Sequence, residues 1–417
     1  MKRKSWAVAL AVLLLSLVLV ACGGGSSSDD GSGSDQKVIT YALWDKEQAP
    51  VYQEIAKDFE KENPDVKVKF EITPFAQYFT KLETAITGKN APDVFWVNIP
   101  RAPDYINNGV LMPVDDVKFD KDKIPEQYLK AYSKDGKLYG VPKDFDTNAL
   151  FYNKKMFDDA GISYPDDTWT WATWQDAAKK LTKADENIYG LAAPLTWQGG
   201  YYDTIYQNEG SPFVDKGKKS GFSDQATIDG VDFWYSFTKN GSATPLKDMA
   251  GTTGSELLLN GRVAMSIEGS YMVPVIFKEK YGKDNIDVAP LPKGKTRATT
   301  SNSLANVISA GTKNEDAAKR WVAFLSTKEA SEKVAESGVV IPAYQGAADA
   351  WINAYPDKNL KVFTEAVDYA VPLPNTKNSS AAIAIESDVL SKAWTGEESI
   401  EAACKELADK ANALLNK

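Results

Sequence analysis

The chain of 417 residues contains no histidine and only two cysteines. Histidine supplies most zinc sites in proteins and the base of Ser-His and Cys-His nucleophile pairs. Its absence excludes the commonest metal and nucleophile chemistries, and we expect neither a metal nor a cofactor. Cys404 shares the apolar face of a predicted C-terminal helix, which indicates a buried structural thiol.

Arginine is also scarce, with four occurrences beyond residue 21, and the formal net charge is −9. Phosphate and amino-acid cargo usually need fixed cations such as guanidinium groups. An acidic chain without a basic face is a poor nucleic-acid binder. We therefore expect no nucleic-acid partner, and the composition favours cargo other than anions.

The chain begins with basic residues at positions 2–4 and an apolar run over residues 6–20. This length is typical of the hydrophobic region of a signal peptide and is short for a membrane span. The run ends in Leu-Val-Ala-Cys at residues 19–22, the pattern cut by the bacterial lipoprotein signal peptidase. We predict a signal peptide over residues 1–21, and a lipid on Cys22 that anchors the protein to the cell membrane, outside the cytoplasm.

Residues 22–36 form a predicted tether, because beyond Cys22 they are only glycine, serine, aspartate and glutamine. Such a segment cannot bury apolar area and is expected to remain flexible. Loss of the three basic residues with the signal peptide takes the mature net charge to about −12. No second long apolar run follows, so we expect no membrane span in the mature chain.

Strands and helices alternate from residue 37 onward. Lys37–Leu43 is rich in β-formers, residues 66–72 alternate apolar and charged side chains, and residues 93–97 are apolar, with helical spacing between these runs. The order βαβαβ predicts a mainly parallel sheet covered by helices. Ligands bind such sheets beyond the carboxyl ends of the strands, where Trp44, Asp45 and Asn98 are expected.

The alternation restarts beyond residue 142, with predicted strands over residues 149–152, 189–193 and 263–267. Three tryptophans occur between residues 169 and 174, and Trp174 matches the core face of the helix after Thr170. We interpret this cluster mainly as packing.

A series of short motifs runs in order along the mature chain: Ala91-Pro92-Asp93-Val94, Gly109-Val110-Leu111, Leu138-Tyr139-Gly140-Val141-Pro142, Phe151-Tyr152-Asn153-Lys154, Ala160-Gly161, Pro165 to Trp169, Asn260-Gly261-Arg262-Val263-Ala264-Met265, Leu291-Pro292, and Gly338 with Ile341-Pro342. Each motif is weak alone. The ordered set resembles the family 1 extracellular solute-binding proteins, which include maltose-binding protein and serve ATP-binding-cassette importers.

The resemblance implies an α/β, two-lobed periplasmic-binding-protein-like fold, in which each lobe is a mainly parallel sheet flanked by helices. Hinge crossovers would join the lobes, with ligand clamped between them. By this resemblance lobe 1 spans residues 37–145 plus 297–345, and lobe 2 spans residues 146–296 plus 346–417. It also implies a monomeric, non-enzymatic binding protein whose partners are the transmembrane subunits of a permease.

A carbohydrate cargo is favoured by residue chemistry. A sugar presents flat C–H faces and many hydroxyls, so its site needs aromatic platforms together with carboxylates and amides. The predicted aromatic candidates are Trp44, Trp197, Tyr201, Tyr202 and Tyr271. The predicted polar candidates are Asp45, Asn98, Asp144, Asp146, Glu268 and Asn302.

Several alternatives stay open on sequence alone. Trp44 could be a core residue at the edge of a lobe, and Asp144 and Asp146 could cap a turn and steer the hinge. A surface-anchored glycoside hydrolase would need two carboxyl groups flanking the scissile bond, and acidic residues are plentiful. Polyamine or peptide cargo is a further alternative to sugar.

Overall fold

The computed structural model describes residues 36–416. The predicted signal peptide, the lipidation site Cys22 and almost all of the predicted tether lie outside these residues. None of the helices in the described part of the chain is both long and apolar enough to cross a membrane.

The strands, in chain order, are β1 (Lys37–Leu43), β2 (Val66–Ile72), β3 (Val94–Asn98), β4 (Ser133–Lys134), β5 (Lys137–Leu138), β6 (Val141–Asn153), β7 (Tyr189–Ala192), β8 (Phe213–Val214), β9 (Lys219–Ser220), β10 (Val263–Gly269), β11 (Ile286–Ala289), β12 (Thr299–Ile308), β13 (Ile341–Pro342) and β14 (Ala370–Pro372).

The α-helices are α1 (Ala49–Glu62), α2 (Phe75–Thr87), α3 (Ala102–Asn107), α4 (Glu126–Ala131), α5 (Lys154–Ala160), α6 (Trp171–Leu181), α7 (Tyr202–Gln207), α8 (Gln225–Lys239), α9 (Gly254–Leu259), α10 (Val273–Lys278), α11 (Lys280–Asn285), α12 (Glu315–Leu325), α13 (Lys328–Glu336), α14 (Ala348–Asn353), α15 (Lys361–Glu365), α16 (Ser379–Ile383), α17 (Glu386–Trp394) and α18 (Ile400–Leu415).

The first lobe is built on the parallel strands β2, β1 and β3. In β2 the side chains of Val66 and Val68 are buried while Lys67 and Lys69 are exposed, as the alternation in the sequence predicts. The predicted βαβαβ order over residues 37–98 is confirmed. It places the carboxyl ends of β1 and β3, and therefore Trp44 and Asn98, at the same edge of the sheet.

The two lobes share β6. Its first half, residues 141–147, pairs with β12 and β13, and its second half, residues 148–153, pairs with β10 and β11. These pairings are antiparallel, whereas β10 pairs with β7 in parallel. The fold is thus two α/β lobes on one continuous strand path, β2-β1-β3-β12-β6-β10-β7.

Burial of β6 and β12 explains their sequences. Every residue of β12 is buried, and almost all of β6 is, because each strand has neighbours on both sides and elements over both faces. Both strands nevertheless carry polar side chains in the middle, including Asp144, Asp146 and Asn302, all less than 10% exposed. Buried polar groups need hydrogen-bond partners, and these partners define the site described below.

The tryptophan cluster packs as predicted. Trp174 is fully buried on α6, and its ring centroid lies 4.9 Å from that of Phe237 on α8. Trp171 stacks on Phe233 at 3.7 Å. Cys404 on α18 is a free, fully buried thiol, which confirms its structural role.

Gly190 permits α6 to lie directly on β7. A Cβ at this position would sit 2.0 Å from the carbonyl oxygen of Ala178, which is backbone and cannot move aside. The substitution Gly190→Ala is therefore expected to lower the free energy of unfolding by about 2 kcal/mol or more, measured by urea denaturation.

The matched control is Gly88→Ala at the end of α2. Its Cβ would meet nothing closer than 3.4 Å, and Gly88 has φ −76°, which alanine adopts readily. We expect a change within about 1 kcal/mol there. Equal stability of the two variants would contradict this description of the α6–β7 contact.

Candidate functional site

The candidate site lies where the carboxyl ends of β1, β3 and β10 meet the polar middle of β6 and β12. Trp44 follows β1, Asn98 ends β3, and Glu268 lies near the end of β10. Residue pairing then sets Asp144 opposite Leu304 and Asp146 opposite Asn302 on the shared strands. The predicted polar candidates come from five separate sequence segments and lie at strand ends or in the middle of the shared strands. Among them, only Glu268 lines the cavity described below.

Trp44 forms an aromatic wall on the first lobe. Its half-buried ring packs edge-on against Tyr78 and Trp96, with centroid separations of 4.9 and 5.3 Å. Phe75, which is 56% exposed, lies 5.5 Å from the same ring. Trp44 therefore has both the core contacts of the packing alternative and an uncovered part that a ligand could contact.

Asp45 and Gln48 form a short polar chain behind this wall. Asp45 accepts hydrogen bonds from the backbone N–H of Glu47 at 2.8 Å and from the side-chain amide of Gln48 at 2.7 Å. The side-chain oxygen Oε1 of Gln48 accepts a hydrogen bond from the Lys143 ammonium at 3.0 Å. Asp45 is consequently linked to the shared strand β6 through one intermediate side chain.

Lys143, which sequence reasoning did not select, is the buried cation of the site. Its ammonium pairs with Asp144 and lies 3.8 Å from the centroid of the Trp96 ring. Burial lowers the pKa of Lys143 and raises that of Asp144, and their mutual attraction opposes both shifts. The other Asp144 oxygen accepts from the backbone N–H of Leu304 at 3.2 Å. Both oxygens of Asp144 therefore have hydrogen-bond partners within the protein.

Asp146 joins the shared strand to the second lobe. One oxygen accepts from the Gln198 amide at 3.0 Å, and the backbone N–H of Asn302 supplies a further hydrogen bond. Burial, followed by the nearby Asp144 charge, raises the pKa of Asp146 to about 7. No lysine or arginine among residues 36–416 is paired with it.

Two asparagines complete the polar floor. The Asn302 side-chain oxygen accepts from the backbone N–H of Ile99 at 3.3 Å. Asn98 is 8% exposed, and its side-chain oxygen has no hydrogen-bond partner within the described chain. A buried acceptor without a donor is unusual in a folded protein.

Residues 194–201, which we call the cleft loop, connect β7 to α7. Gly199 has φ +65°, and the backbone angles of Gln198 and Gly200 are also non-helical, so the chain turns sharply there. The Gly-Gly pair in the sequence was the signal for such a turn. Trp197 is half-buried, and its ring centroid lies 5.9 Å from that of Tyr202.

A cavity of about 520 Å³ opens between the cleft loop, the end of β10 and the segment before α9. It is lined by Pro194, Leu195, Thr196, Gln198, Gly199, Leu246, Met249, Ala250, Thr252, Thr253, Gly254, Ile267, Glu268, Gly269 and Tyr271. This lining contains no lysine or arginine. Sequence reasoning did not select residues 246–254, which form one side of the cavity, because this segment contains no aromatic residue and no cluster of acidic residues.

Glu268 and Tyr271 are the predicted candidates that line this cavity. Glu268 accepts a hydrogen bond from Ser266 at 2.7 Å, and burial raises its pKa to about 7. Tyr271 is 38% exposed. A Cβ on Gly269 would sit 2.2 Å from the Tyr271 ring, so glycine is what lets that ring lie over the backbone. Together they offer a ring and a carboxyl group side by side.

The structure corrects the prediction for Tyr201 and Tyr202. Both side chains are 0% exposed, and their hydroxyls donate to the carboxylate of Glu386 at 2.8 and 2.7 Å. Their rings lie in the core of the second lobe, so they do not present a face to a ligand. The sequence could not distinguish them from Trp197, because all three follow the same strand.

Asp203 was also missed by sequence reasoning. It is fully buried and accepts from the backbone N–H of Thr300 at 2.6 Å and from the Asn148 amide at 3.0 Å. Burial raises its pKa to about 6. Asp203 therefore ties α7 of the second lobe to both shared strands.

Comparisons with known proteins agree with this geometry. A profile of the family described as bacterial extracellular solute-binding protein matches residues 44–332. An arabinooligosaccharide-binding protein of Bacillus subtilis is 25% identical over 79% of this chain and 78% of its own length. A maltooligosaccharide ABC transporter solute-binding lipoprotein of Streptococcus pneumoniae is 26% identical over 97% of this chain and 95% of its own.

A solved structure gives the same result for the fold. The ABC substrate-binding protein of Listeria monocytogenes in complex with cycloalternan superimposes with a TM-score of 0.86 at 28% identity. The match covers 92% of this chain and all of that chain. The two-lobed architecture predicted from the motifs is confirmed.

The raised pKa of Glu268 predicts that this residue makes the stability of the protein depend on pH. Its folded pKa of about 7 lies above the ordinary value of 4.5, so its contribution to stability is complete below pH 4.5 and is lost as the pH rises from there through about 7. Glu268→Gln removes this loss. Relative to wild type, we expect the variant to gain about 1–2 kcal/mol more at pH 8 than at pH 5, allowing for partial exposure of Glu268 to the cavity.

Melting temperatures of the ligand-free protein at the two pH values provide the measurement. Glu401→Gln, at an exposed position on α18, is the control and should differ from wild type equally at both pH values. If the difference in melting temperature between Glu268→Gln and wild type is the same at pH 5 and pH 8, the raised pKa of Glu268 is contradicted.

Proposed function

The chain belongs to the bacterial extracellular solute-binding protein family, and from that premise we propose that it captures an oligosaccharide between its lobes and hands it to the permease of an ATP-binding-cassette importer. The observation that carries the proposal is the cavity beside Tyr271. It combines an uncovered aromatic ring, a carboxyl group and an amide, without a lysine or arginine in its lining.

These groups match the surface of a sugar. The ring of Tyr271 would stack on a flat C–H face, while Glu268 and the Gln198 amide would bond neighbouring hydroxyls. Across the cleft, the uncovered part of Trp44 and the unpartnered oxygen of Asn98 would contact the same ligand from the first lobe. Aromatic groups in both lobes favour a ligand of more than one sugar unit.

The relatives support the oligosaccharide class. The Bacillus subtilis and Streptococcus pneumoniae proteins are described as binding arabinooligosaccharides and maltooligosaccharides, and the Listeria monocytogenes protein was solved with cycloalternan. These three ligands differ from one another, but all are neutral oligosaccharides. We therefore propose the class of ligand and not a particular sugar.

Charge restricts the ligand further. Burial raises the pKa of Tyr271, and the negative charges of Asp146, Glu268 and Asp203 raise it further. Lys143 is already paired with Asp144. An anionic sugar such as a uronic acid would meet these carboxyl groups without a compensating cation. Neutral oligosaccharides are the proposed cargo, and uronates should be rejected.

The lobes are proposed to move about the shared strands. In this proposal lobe 1 comprises residues 37–145 plus 297–345, and lobe 2 comprises residues 146–296 plus 346–417. A ligand closes the lobes only by binding the closed arrangement more tightly than the open one. The proposed lipid on Cys22 would keep the mature protein beside the membrane, where it would act as a monomer.

Sugar delivery implies that the ligand leaves unaltered. Asp146 and Glu268 both have raised pKa values, which is a property that a general acid of a glycoside hydrolase also requires. Two arguments favour transport over hydrolysis. The Asp146 side chain is held by Gln198, and the family and the relatives above are solute-binding proteins.

A calorimetric titration tests the proposal. The mature chain is titrated with arabinotriose, galactotriose and maltotriose, and with trigalacturonate as the anionic probe. We expect at least one neutral sugar to bind and to be recovered intact by chromatography, and trigalacturonate not to bind. Binding of trigalacturonate alone, or recovery of shortened sugar, would contradict the proposal.

Tyr271→Ala should weaken binding of the best neutral sugar by about 10-fold or more, because stacking and buried aromatic contact are lost. Its melting temperature without ligand should stay near that of wild type, since the ring is 38% exposed. The matched control is Tyr164→Ala, at 39% exposure in the segment between α5 and α6. Equal affinity losses in the two variants would refute the role given to Tyr271.

A further inference from the structure

One buried carboxyl group lies outside the cleft and has no charged partner. Glu386 opens α17 and is 1% exposed. Within residues 36–416 no lysine or arginine pairs with it, and its hydrogen-bond partners are the hydroxyls of Tyr201 and Tyr202. Burial raises its pKa to about 8. Burying an unpaired carboxyl group costs free energy, so a neutral residue would be the default for packing alone.

The partners of Glu386 mark one end of the cleft loop. Tyr201 is the last residue of the loop, and Tyr202 is the first of α7. The next residue on α17, Ser387, donates from its hydroxyl to the carbonyl oxygen of Leu195 at 3.2 Å, near the other end. Two consecutive residues of one helix therefore hold both ends of a loop that lines the cavity.

The cleft loop needs this external support. Three consecutive residues, Gln198, Gly199 and Gly200, have non-helical backbone angles. Within the loop, the Thr196 N–H donates to the Pro194 carbonyl at 2.9 Å and the Tyr201 N–H donates to the Thr196 carbonyl at 3.1 Å. The Tyr202 N–H donates to the carbonyls of Trp197 and Gly200. Glycines add conformational freedom that must be lost when the loop is ordered.

We propose that Glu386 and Ser387 are positioning residues for sugar binding, which hold the cleft loop in the conformation that presents Gln198 to the ligand. Neither residue lines the cavity. The inference rests on the proposed function only for its effect on sugar affinity. The effect on the loop itself is independent of any ligand.

The choice of glutamate follows from the geometry. Its two oxygens, Oε2 and Oε1, each accept one tyrosine hydroxyl, so the positions of both hydroxyls are fixed at once. The residue after Tyr202 is Asp203, which is bonded to the backbone N–H of Thr300 on β12. The end of the cleft loop is thus held between α17 on one side and a shared strand on the other.

Hydrogen–deuterium exchange of the ligand-free protein tests the positioning. In Glu386→Met, which keeps the volume but removes both acceptors, exchange over residues 194–202 should accelerate by about 10-fold or more. In Glu386→Gln, whose carbonyl and amide can each bond one tyrosine, it should stay within about 3-fold of wild type. Ser387→Ala should accelerate exchange at the start of the loop only.

Glu406→Gln is the control, because this carboxylate on α18 pairs with Lys392 and Lys410 at the surface. It should leave exchange over residues 194–202 unchanged. The proposal is overturned if Glu386→Met exchanges in this segment as wild type does. It is also overturned if exchange rises equally throughout the second lobe, since Glu386 would then support the core in general.

Calorimetry with maltotriose, arabinotriose and galactotriose supplies the second readout. For whichever sugar wild type binds, Glu386→Met should weaken binding by about 10-fold and Glu386→Gln should restore it to within about 3-fold. If the exchange result holds and affinity does not change, the loop is positioned but not for binding, and the proposal fails. If wild type binds none of these sugars, the proposed function fails while the exchange result still decides the role of Glu386.

Discussion

The organisation of this protein depends on the burial of polar side chains on β6 and β12, the two strands shared by the lobes. A strand with neighbours on both sides and both faces covered normally carries apolar residues. Here Asp144 and Asp146 are buried on β6, opposite Leu304 and Asn302 of β12. Asp144 is satisfied by its sequence neighbour Lys143 and by the backbone N–H of Leu304 on β12. Asp146 is satisfied by Gln198 from the cleft loop and by the backbone N–H of Asn302. The constraint that joins the lobes therefore also assembles the site.

The same constraint explains the electrostatic character of the cleft. Asp146, Asp203 and Glu386 are buried with hydroxyl, amide and backbone N–H donors, and no lysine or arginine of the described residues pairs with them. Such groups are expensive to bury but are directional, and each connects the second lobe to a neighbouring element. Lys143 is neutralised by Asp144. The site is left polar, hydrogen-bonding and unfavourable to anions, which suits neutral polyols better than anionic metabolites.

Much of this architecture could be predicted from sequence. The alternation of apolar and charged residues in 66–72 and the apolar runs around it identified the first lobe, and the ordered motifs identified the overall fold. Glu268 and Tyr271 were predicted because they follow an apolar run, and ligands bind α/β sheets at the ends of such strands. That argument also needs the sheet topology, which came from the ordered motifs. The burial of Tyr201 was not predictable, because its partner Glu386 is 185 residues away in sequence. Lys143 was overlooked for a similar reason: a single lysine gives no periodic signal, and its position over Trp96 depends on long-range packing.

Small-angle X-ray scattering tests the central claim, that sugar is bound between two lobes that close about shared strands. The radius of gyration of the mature chain is measured without ligand, with a saturating neutral oligosaccharide, and with trigalacturonate at the same concentration. The account predicts a smaller radius with the neutral sugar and no change with the uronate. An unchanged radius when calorimetry shows the sugar fully bound would contradict it.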